Sequence, residues 1–412
     1  MSENLKAFYP RTATERVSYL SAHFSCILLQ GARQVGKSTM LETMMPPGMR
    51  YVTLDDFVLA DRARRDPVGF LDDFEPPLCI DEVQYAPDLL RAIKIRVDRE
   101  KRKGMYWMTG SQQLHLMKDI SESLAGRVGI MDLHSLSQRE ALGKGASASV
   151  FNPDKPAESI EESTVCGNEE LYRRIWRGGY PALVVDPELE PDVFFESYVR
   201  SYLERDVNDL AQVGNRAAFV RFMRSAAMRT GQQLVYSDLA RDAEIAPNTA
   251  RTWISILERT GIISLLQPYA TNTIKRLTKT PKMYFCDTGL CSWLAGWDNP
   301  ETLMNSAFAG AILETWVYGQ LLRSYNHNGR RPQIYFFREA NGRAEVDFLL
   351  VQNGGIYPLE VKRSASPHLD DLRHAAKIPV GQYRLMPGII FCTSKQVYPL
   401  GGGHCAIPIS ML

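Results

Sequence analysis

The chain has 412 residues, 45% of them hydrophobic, with 48 Lys plus Arg against 47 Asp plus Glu and a net charge of +1. That apolar share supports packed cores and excludes a disordered chain, and the length suits two to four domains. The charge balance excludes a uniformly basic nucleic-acid binder but leaves room for a local basic patch. No apolar run approaches the ~18–20 residues that span a bilayer, and the first seven residues lack the apolar stretch of a signal peptide. The seven Cys, at 26, 79, 166, 286, 291, 392 and 405, form no Cys-x-x-Cys pair. Cys286 and Cys291 lie closest, no nearby His or Cys completes a zinc set, and buried thiols are the expectation. The chain reads as cytoplasmic and reduced, with no membrane partner.

From about 23 to 135, short apolar runs alternate with amphipathic ones. Strands are predicted at 26–30, 51–54, 77–80, 105–108 and 128–131, with a helix over 37–45. Strands alternating with helices predict an α/β fold with a parallel sheet covered on both faces. Residues 145–170 are small, polar and proline-containing, and read as a linker. The expected domains are 1–150, then a mainly helical region over 165–300, then a mixed segment over 301–412.

Gly31-Ala-Arg-Gln34-Val35-Gly36-Lys37-Ser38 matches G-x-x-x-x-G-K-[ST], between a predicted strand and a predicted helix. Its glycines let the backbone N–H groups of the loop, through Thr39, surround phosphates. Lys37 would reach the β and γ phosphates of ATP, Ser38 would ligate Mg²⁺, and the helix N-terminus adds a favourable dipole. Leu78-Cys-Ile-Asp81-Glu82 is an apolar strand ending in two acids. Asp81 would hold the Mg²⁺ shell and Glu82 would activate water. The next strand ends in Thr109-Gly-Ser111, whose hydroxyls would touch the γ-phosphate or the water. Arg127 is a candidate arginine finger, in cis or from a second copy in a homo-oligomer; a surface ion pair is its alternative. Arg33 reads as structural or phosphate-adjacent.

These runs, with Leu54-Asp55-Asp56 and Ser123-Leu-Ala-Gly126-Arg127, resemble a widespread prokaryotic AAA-type ATPase family. In that family the ATPase is joined to a C-terminal region known only as a domain of unknown function. The similarity continues through Arg177-Gly-Gly-Tyr-Pro181, Tyr202-Leu-Glu-Arg205-Asp206, Lys279-Thr-Pro-Lys-Met-Tyr and Asp287-Thr-Gly-Leu290, so it covers nearly the whole chain. It implies an AAA/ASCE-type P-loop sheet and ATP binding, and no particular cellular role.

Within the helical region, residues 230–285 read as a winged helix-turn-helix. Ser237 caps a first helix, Glu244 to Pro247 form a turn, and Asn248 to Arg259 form a second helix with Trp253 on its apolar face. Asn248, Thr249, Arg251 and Thr252 would line its outer face and meet a DNA major groove, with Lys275 and Arg276 in the wing. Arg241, Arg251, Arg259, Lys275, Arg276, Lys279 and Lys282 outnumber Asp238, Asp242, Glu244 and Glu258 by three. A lid between domains is the competing role.

At the C-terminus, Ala344 to Val351 and Ile356 to Lys362 read as a hairpin. With Asn353-Gly354 as a type I′ turn, paired numbers sum to 707, so Asp347 faces Glu360 and Glu345 faces Lys362. Carboxylates that close repel unless a cation lies between them. With Gly354-Gly355 as the turn, Asp347 faces Lys362 in an ordinary salt bridge. The Asp, then Glu-x-Lys pattern is similar to the PD-(D/E)xK nuclease fold, with Val346 where a Pro often stands. That resemblance implies an α/β nuclease-like domain in which Asp347, Glu360 and Glu314, on a preceding helix, would hold Mg²⁺ beside Lys362. Glu314 sits in an apolar stretch and needs a metal, a Lys or an Arg. Two functions are open at this point. One is ATP hydrolysis coupled to DNA binding and metal-dependent cleavage. The other is a nucleotide-dependent switch that binds a protein partner and cuts nothing.

Overall fold

The computed structural model describes residues 9–110, 123–203, 215–271, 280–339 and 342–412. Five strands, β1 (Cys26–Gln30), β2 (Arg50–Thr53), β3 (Leu78–Asp81), β4 (Tyr106–Gly110) and β5 (Val128–Asp132), form an all-parallel sheet in the order β2-β3-β4-β1-β5. The central strands β1, β3 and β4 are buried along their whole length, which is why they read as continuous apolar runs. Alternation along β1 divides the core. Cys26 and Leu28 pack with the apolar face formed by α3 (Phe57–Arg65), α4 (Pro67–Asp73) and α5 (Leu89–Glu100). Ile27 and Leu29 face the other way, into a core that continues through the rest of the chain. Among the described residues this part also holds α1 (Thr14–His23), α2 (Lys37–Met44) and α6 (Gln138–Ala141).

The middle of the chain holds α7 (Asn168–Arg177), α8 (Pro181–Val185), α9 (Pro191–Tyr202) and α10 (Arg216–Ala227). After them come β6 (Gln232–Gln233), α11 (Tyr236–Ala243), α12 (Pro247–Arg259), β7 (Ile263–Leu266) and β8 (Lys282–Phe285). The three strands pair antiparallel in the order β6-β8-β7. Trp253 of α12 packs edge-on against Phe219 and Phe222 of α10. Val235 precedes α11 and no side chain caps it, so Ser237 is not the N-cap expected. Glu244, at φ 57, makes the turn between the helices.

Short helices α13 (Thr288–Leu294) and α14 (Pro300–Met304) lead to α15 (Ala309–Asn326). The last sheet contains β9 (Ile334–Arg338), β10 (Glu345–Gln352), β11 (Gly355–Val361), β12 (Arg384–Leu385), β13 (Ile389–Cys392), β14 (Tyr398–Gly401) and β15 (His404–Pro408). Its order is β14-β15-β13-β11-β10-β9, with β12 beside β11. Strands β9, β10 and β11 are an antiparallel meander, and β13 runs parallel to β11. Gln352 faces Gly355 and Phe348 faces Leu359, the register in which paired numbers sum to 707. Asn353 and Gly354 both have positive φ, as a type I′ turn demands. The chain is α/β in class.

Candidate functional site

The loop from Gly31 to Ser38 joins β1 to α2. A Cβ on Gly31 would lie 2.1 Å from the Leu133 carbonyl oxygen, so only glycine fits there. Gln34 and Gly36, at φ 59 and 93, turn the backbone into α2. The Val35 carbonyl accepts a 2.9 Å bond from Arg11 Nη1. Lys37 is buried, with Nζ donating to the carbonyls of Gly31 and Ala32 at 3.0 and 2.9 Å. Arg33, Gln34, Gly36, Lys37, Ser38, Thr39 and Glu82 line a cleft of about 580 Å³, closed by Pro181 and Ser201 from the helical region.

Parallel register brings the carboxyl ends of β2, β3 and β4 to this cleft. Four hydroxyls converge on Asp81, that of Thr53 the most distant at 3.5 Å from Oδ2. Ser38 donates to Oδ1 at 2.7 Å, Thr109 donates to the same oxygen, and Tyr51 donates to Oδ2 at 3.0 Å. Such bonds to an ionised acceptor are short and strong. Thr109 also accepts the Glu82 N–H at 3.0 Å. Glu82 itself sits at φ 56, and its Oε2 accepts a bond from Gln84. A hydroxyl and a carboxylate oxygen side by side beneath the loop are a hard-oxygen set that fits Mg²⁺. Burial, and then Asp81, push the Tyr51 phenol above its ordinary range, so it stays a donor.

Two expectations change here. Thr109 is fully buried against Asp81 and the Glu82 backbone, so it holds the acids in place instead of reaching toward phosphate. Its companion Ser111 lies outside the described residues. Arg127 precedes β5, and its carbonyl accepts from Cys26 N at the start of β1. It therefore stands at the sheet edge opposite the loop, with Nε and Nη2 on the Asp98 carboxylate at 2.5 and 3.0 Å. A parallel strand advances about 3.3 Å per residue, so five residues separate it by roughly 16 Å from the cleft, too far to act in cis.

On α12, Asn248 and Arg251 are exposed and Thr249 is half-buried. Arg251 lies over the Tyr236 ring at 5.2 Å. The expected basic patch is smaller than its tally. Arg241 is paired with Asp238 at 3.2 Å, and Lys282 is buried and faces away from solvent. Lys275, Arg276 and Lys279 lie outside the described residues, as do Arg205 and Asp206.

Lys282 instead meets the C-terminal carboxylates. Its Nζ lies 3.1 Å from Glu314 Oε1 and 2.7 Å from Glu345 Oε1. Burial acts to lower its pKa, but Glu314, Asp347 and Glu345 outweigh this and hold it above the ordinary lysine range. Tyr284 donates to Glu314 Oε1 at 2.5 Å. Burial and then Asp347 raise Glu314 to about 7, against the pull of Lys282. Asp347 Oδ2 accepts the Val361 N–H at 2.8 Å, and Lys362 Nζ donates to Glu360 Oε2 at 2.9 Å. Burial, and then Asp347, raise Glu360 to about 8. Among the described residues no three His, Cys, Asp or Glu side chains stand together as metal ligands. Asp347 acts on both Glu314 and Glu360, while Lys282 and Tyr284 hold Glu314 Oε1. On its other side Glu345 faces Arg338 of β9, and its carboxylate forms an ion pair with Lys282.

The sequence reading missed Arg11, Tyr51, Pro181, Ser201, Lys282 as a buried cation, and Tyr284. All seven cysteines are free, and among the described residues no helix is long and apolar enough to cross a membrane.

Residues 23–142 match the AAA domain family model. Residues 168–301 and 309–412 match two models described only as domains of unknown function, DUF8612 and DUF4143. The uncharacterized protein Rv2008c of Mycobacterium tuberculosis is 29% identical over 408 residues, covering 98% of this chain and 84% of that protein. The uncharacterized protein MJ1637 of Methanocaldococcus jannaschii is 22% identical over 327 residues, or 71% of this chain and 66% of that one. A Walker-type ATPase of Pyrococcus abyssi aligns with a TM-score of 0.46 at 14% identity, over 70% of this chain and 99% of its own. The AAA similarity thus falls on the part of the chain that carries the five-stranded parallel sheet and the Gly31–Ser38 loop.

Proposed function

We propose that the chain binds ATP with Mg²⁺ in the cleft beside Gly31–Thr39 and hydrolyses it to ADP and phosphate. The observation that carries this reading is the shared bonding of Ser38, Thr109, Asp81 and the Glu82 N–H. It aligns a metal-holding pair and a neighbouring base along one sheet edge. The loop N–H groups of Gln34, Val35 and Gly36, with Gln34 and Gly36 at positive φ, bind the phosphates. Lys37 neutralises the β and γ oxygens, and Ser38 and Asp81 hold Mg²⁺. The ion would supply charge stabilisation to the leaving phosphate. Glu82 orients the attacking water and takes its proton. Phosphate release, followed together with the fluorescence of a labelled ATP analogue, tests the assignment. Lys37→Ala is expected to lose binding, and Glu82→Gln to bind ATP without turning it over. Normal turnover in Glu82→Gln removes that role.

For the rest of the chain, the helix–strand–helix–helix–strand–strand order of residues 216–285 supports a winged helix. Its exposed Asn248 and Arg251 favour contact with DNA. The Asp347, Glu360 and Lys362 strand pair keeps the nuclease-like resemblance, but the lysine between Glu314 and Glu345 favours a switch that cuts nothing. Plasmid nicking with Mg²⁺ or Mn²⁺ separates the two. Metal-dependent cleavage that disappears in Asp347→Ala and Lys362→Ala would establish the nuclease instead.

A further inference from the structure

Arg11 lies in the segment before α1 and is buried, yet it uses all three of its donor nitrogens. Nη1 donates to the Val35 carbonyl at 2.9 Å, Nη2 to the His134 carbonyl at 2.8 Å, and Nε to Glu140 Oε1 at 3.1 Å. Glu140 is fully buried. Its Oε1 also accepts from Thr12 N at 2.9 Å and its Oε2 from Ser137 N at 2.8 Å. His327 Nδ1, just past α15, stands 3.2 Å from Oε2, while His327 Nε2 accepts the His134 N–H at 3.1 Å. Two further residues of α15 reach the same segment. Gln320 Oε1 accepts from Gln138 N at 3.0 Å, and Arg323 donates to the Ser135 carbonyl at 3.0 Å.

The trans peptide unit is planar, so fixing one side of it fixes the other. With the Val35 carbonyl held by Arg11, the Gly36 N–H is aimed the opposite way. Gly36 lines the cleft. A buried charged pair is costly to disturb, and removing one partner leaves the other without compensation. The orientation of the Val35–Gly36 peptide is thus tied to Glu140, and through Glu140 to the seat of α15.

We propose that Arg11 is a positioning residue of the nucleotide site, and that Glu140 and His327 make the docking of α15 a determinant of ATP affinity. This rests on the reading of the cleft as an ATP site. Arg11→Lys keeps the charge beside Glu140 but cannot serve three acceptors in a fork. Its KM for ATP is expected to rise about 10- to 100-fold, the worth of one charged hydrogen bond, with kcat changed less than about threefold. His327→Phe, remote from the cleft, is expected to raise KM about 3- to 10-fold through the same chain. Hydrogen–deuterium exchange on the wild-type chain needs no variant. Adding ATPγS with Mg²⁺ is expected to slow exchange in peptides covering 133–141 and 320–328 as well as the loop. Wild-type KM in Arg11→Lys, or protection confined to the loop, overturns the proposal. A wild-type chain that fails to bind ATP refutes the functional reading instead.

Discussion

Replacing Lys282 by Met removes a buried charge at nearly constant volume, and its consequence depends on pH. At pH 8.5 the carboxylates of Glu314, Glu345 and Asp347 are left without the ammonium that stands 3.1 and 2.7 Å from the first two. Breaking a buried pair by deleting one partner costs about 3–5 kcal/mol. Glu314 has an escape, because it is held at about 7 instead of its ordinary 4.5. At about 1.4 kcal/mol per pH unit, that elevation amounts to about 3 kcal/mol. An acid raised on folding contributes stability that is fully present below its unfolded value and is lost as pH rises through its folded one. Glu314 therefore stabilises the wild type below pH 4.5, and this contribution fades toward pH 7. Without Lys282 its folded value rises further, so at pH 5.5 Glu314 is neutral and the remaining loss falls on the half-buried Glu345 and Asp347, where solvent screens it. Urea unfolding followed by tryptophan fluorescence should show a loss of about 3–5 kcal/mol at pH 8.5 and less than about 2 at pH 5.5. An equal loss at both values, or none at pH 8.5, would refute the pairing.

Three other outcomes follow from the geometry. Thr109→Val removes the acceptor of the Glu82 N–H and a donor to Asp81, and is expected to lower kcat about 10-fold or more and stability by about 1–3 kcal/mol, read by phosphate release and urea titration. Arg127→Ala should leave turnover within about twofold at concentrations where the chain is monomeric, since Asp98 holds it on the far edge. A larger loss confined to high concentration would reveal a role in a homo-oligomer. Arg251→Ala should weaken retardation of duplex DNA at low salt and reduce the log–log salt slope by about 1; no retardation of the wild type at 50 mM salt, a deliberately low concentration, would remove DNA from the reading.

The nucleotide site was legible because its chemistry is local. Eight consecutive residues wind the loop, and an apolar strand delivers Asp81 and Glu82 to the edge beside it. The hairpin register was legible for the same reason, since Asn353 and Gly354 accept the positive φ that a two-residue turn needs. Arg127 shows how proximity to motifs misleads. In a parallel sheet a residue that precedes a strand lies at the edge opposite a loop that follows one, and this rule was available from the sequence. Arg11 and Lys282 had no local signal, because their partners lie 129 and 32 residues away. The Arg177-Gly-Gly-Tyr-Pro181 and Asp287-Thr-Gly-Leu290 runs, to which no role attached, meet each other. Asp287 Oδ2 accepts the Gly179 N–H at 2.9 Å, and a Cβ on Gly178 would stand 2.3 Å from Oδ1.

One helix touches both charged centres. Counting 100° per residue, Gln320, Arg323 and His327 lie about 240°, 180° and 220° around α15 from Glu314, on the opposite side. The Glu314 side meets Lys282 and Tyr284, while the other side grips residues 134–140 behind the nucleotide loop. Glu314 and His327 are about 20 Å apart along the axis at 1.5 Å per residue, with α-helix over all but the last position. A helix buried along most of its length has no room to bend between them, so a displacement at one polar face moves the other as a rigid body. The segment behind the Gly31–Ser38 loop and the lysine-held carboxylates thus rest on opposite sides of one helix.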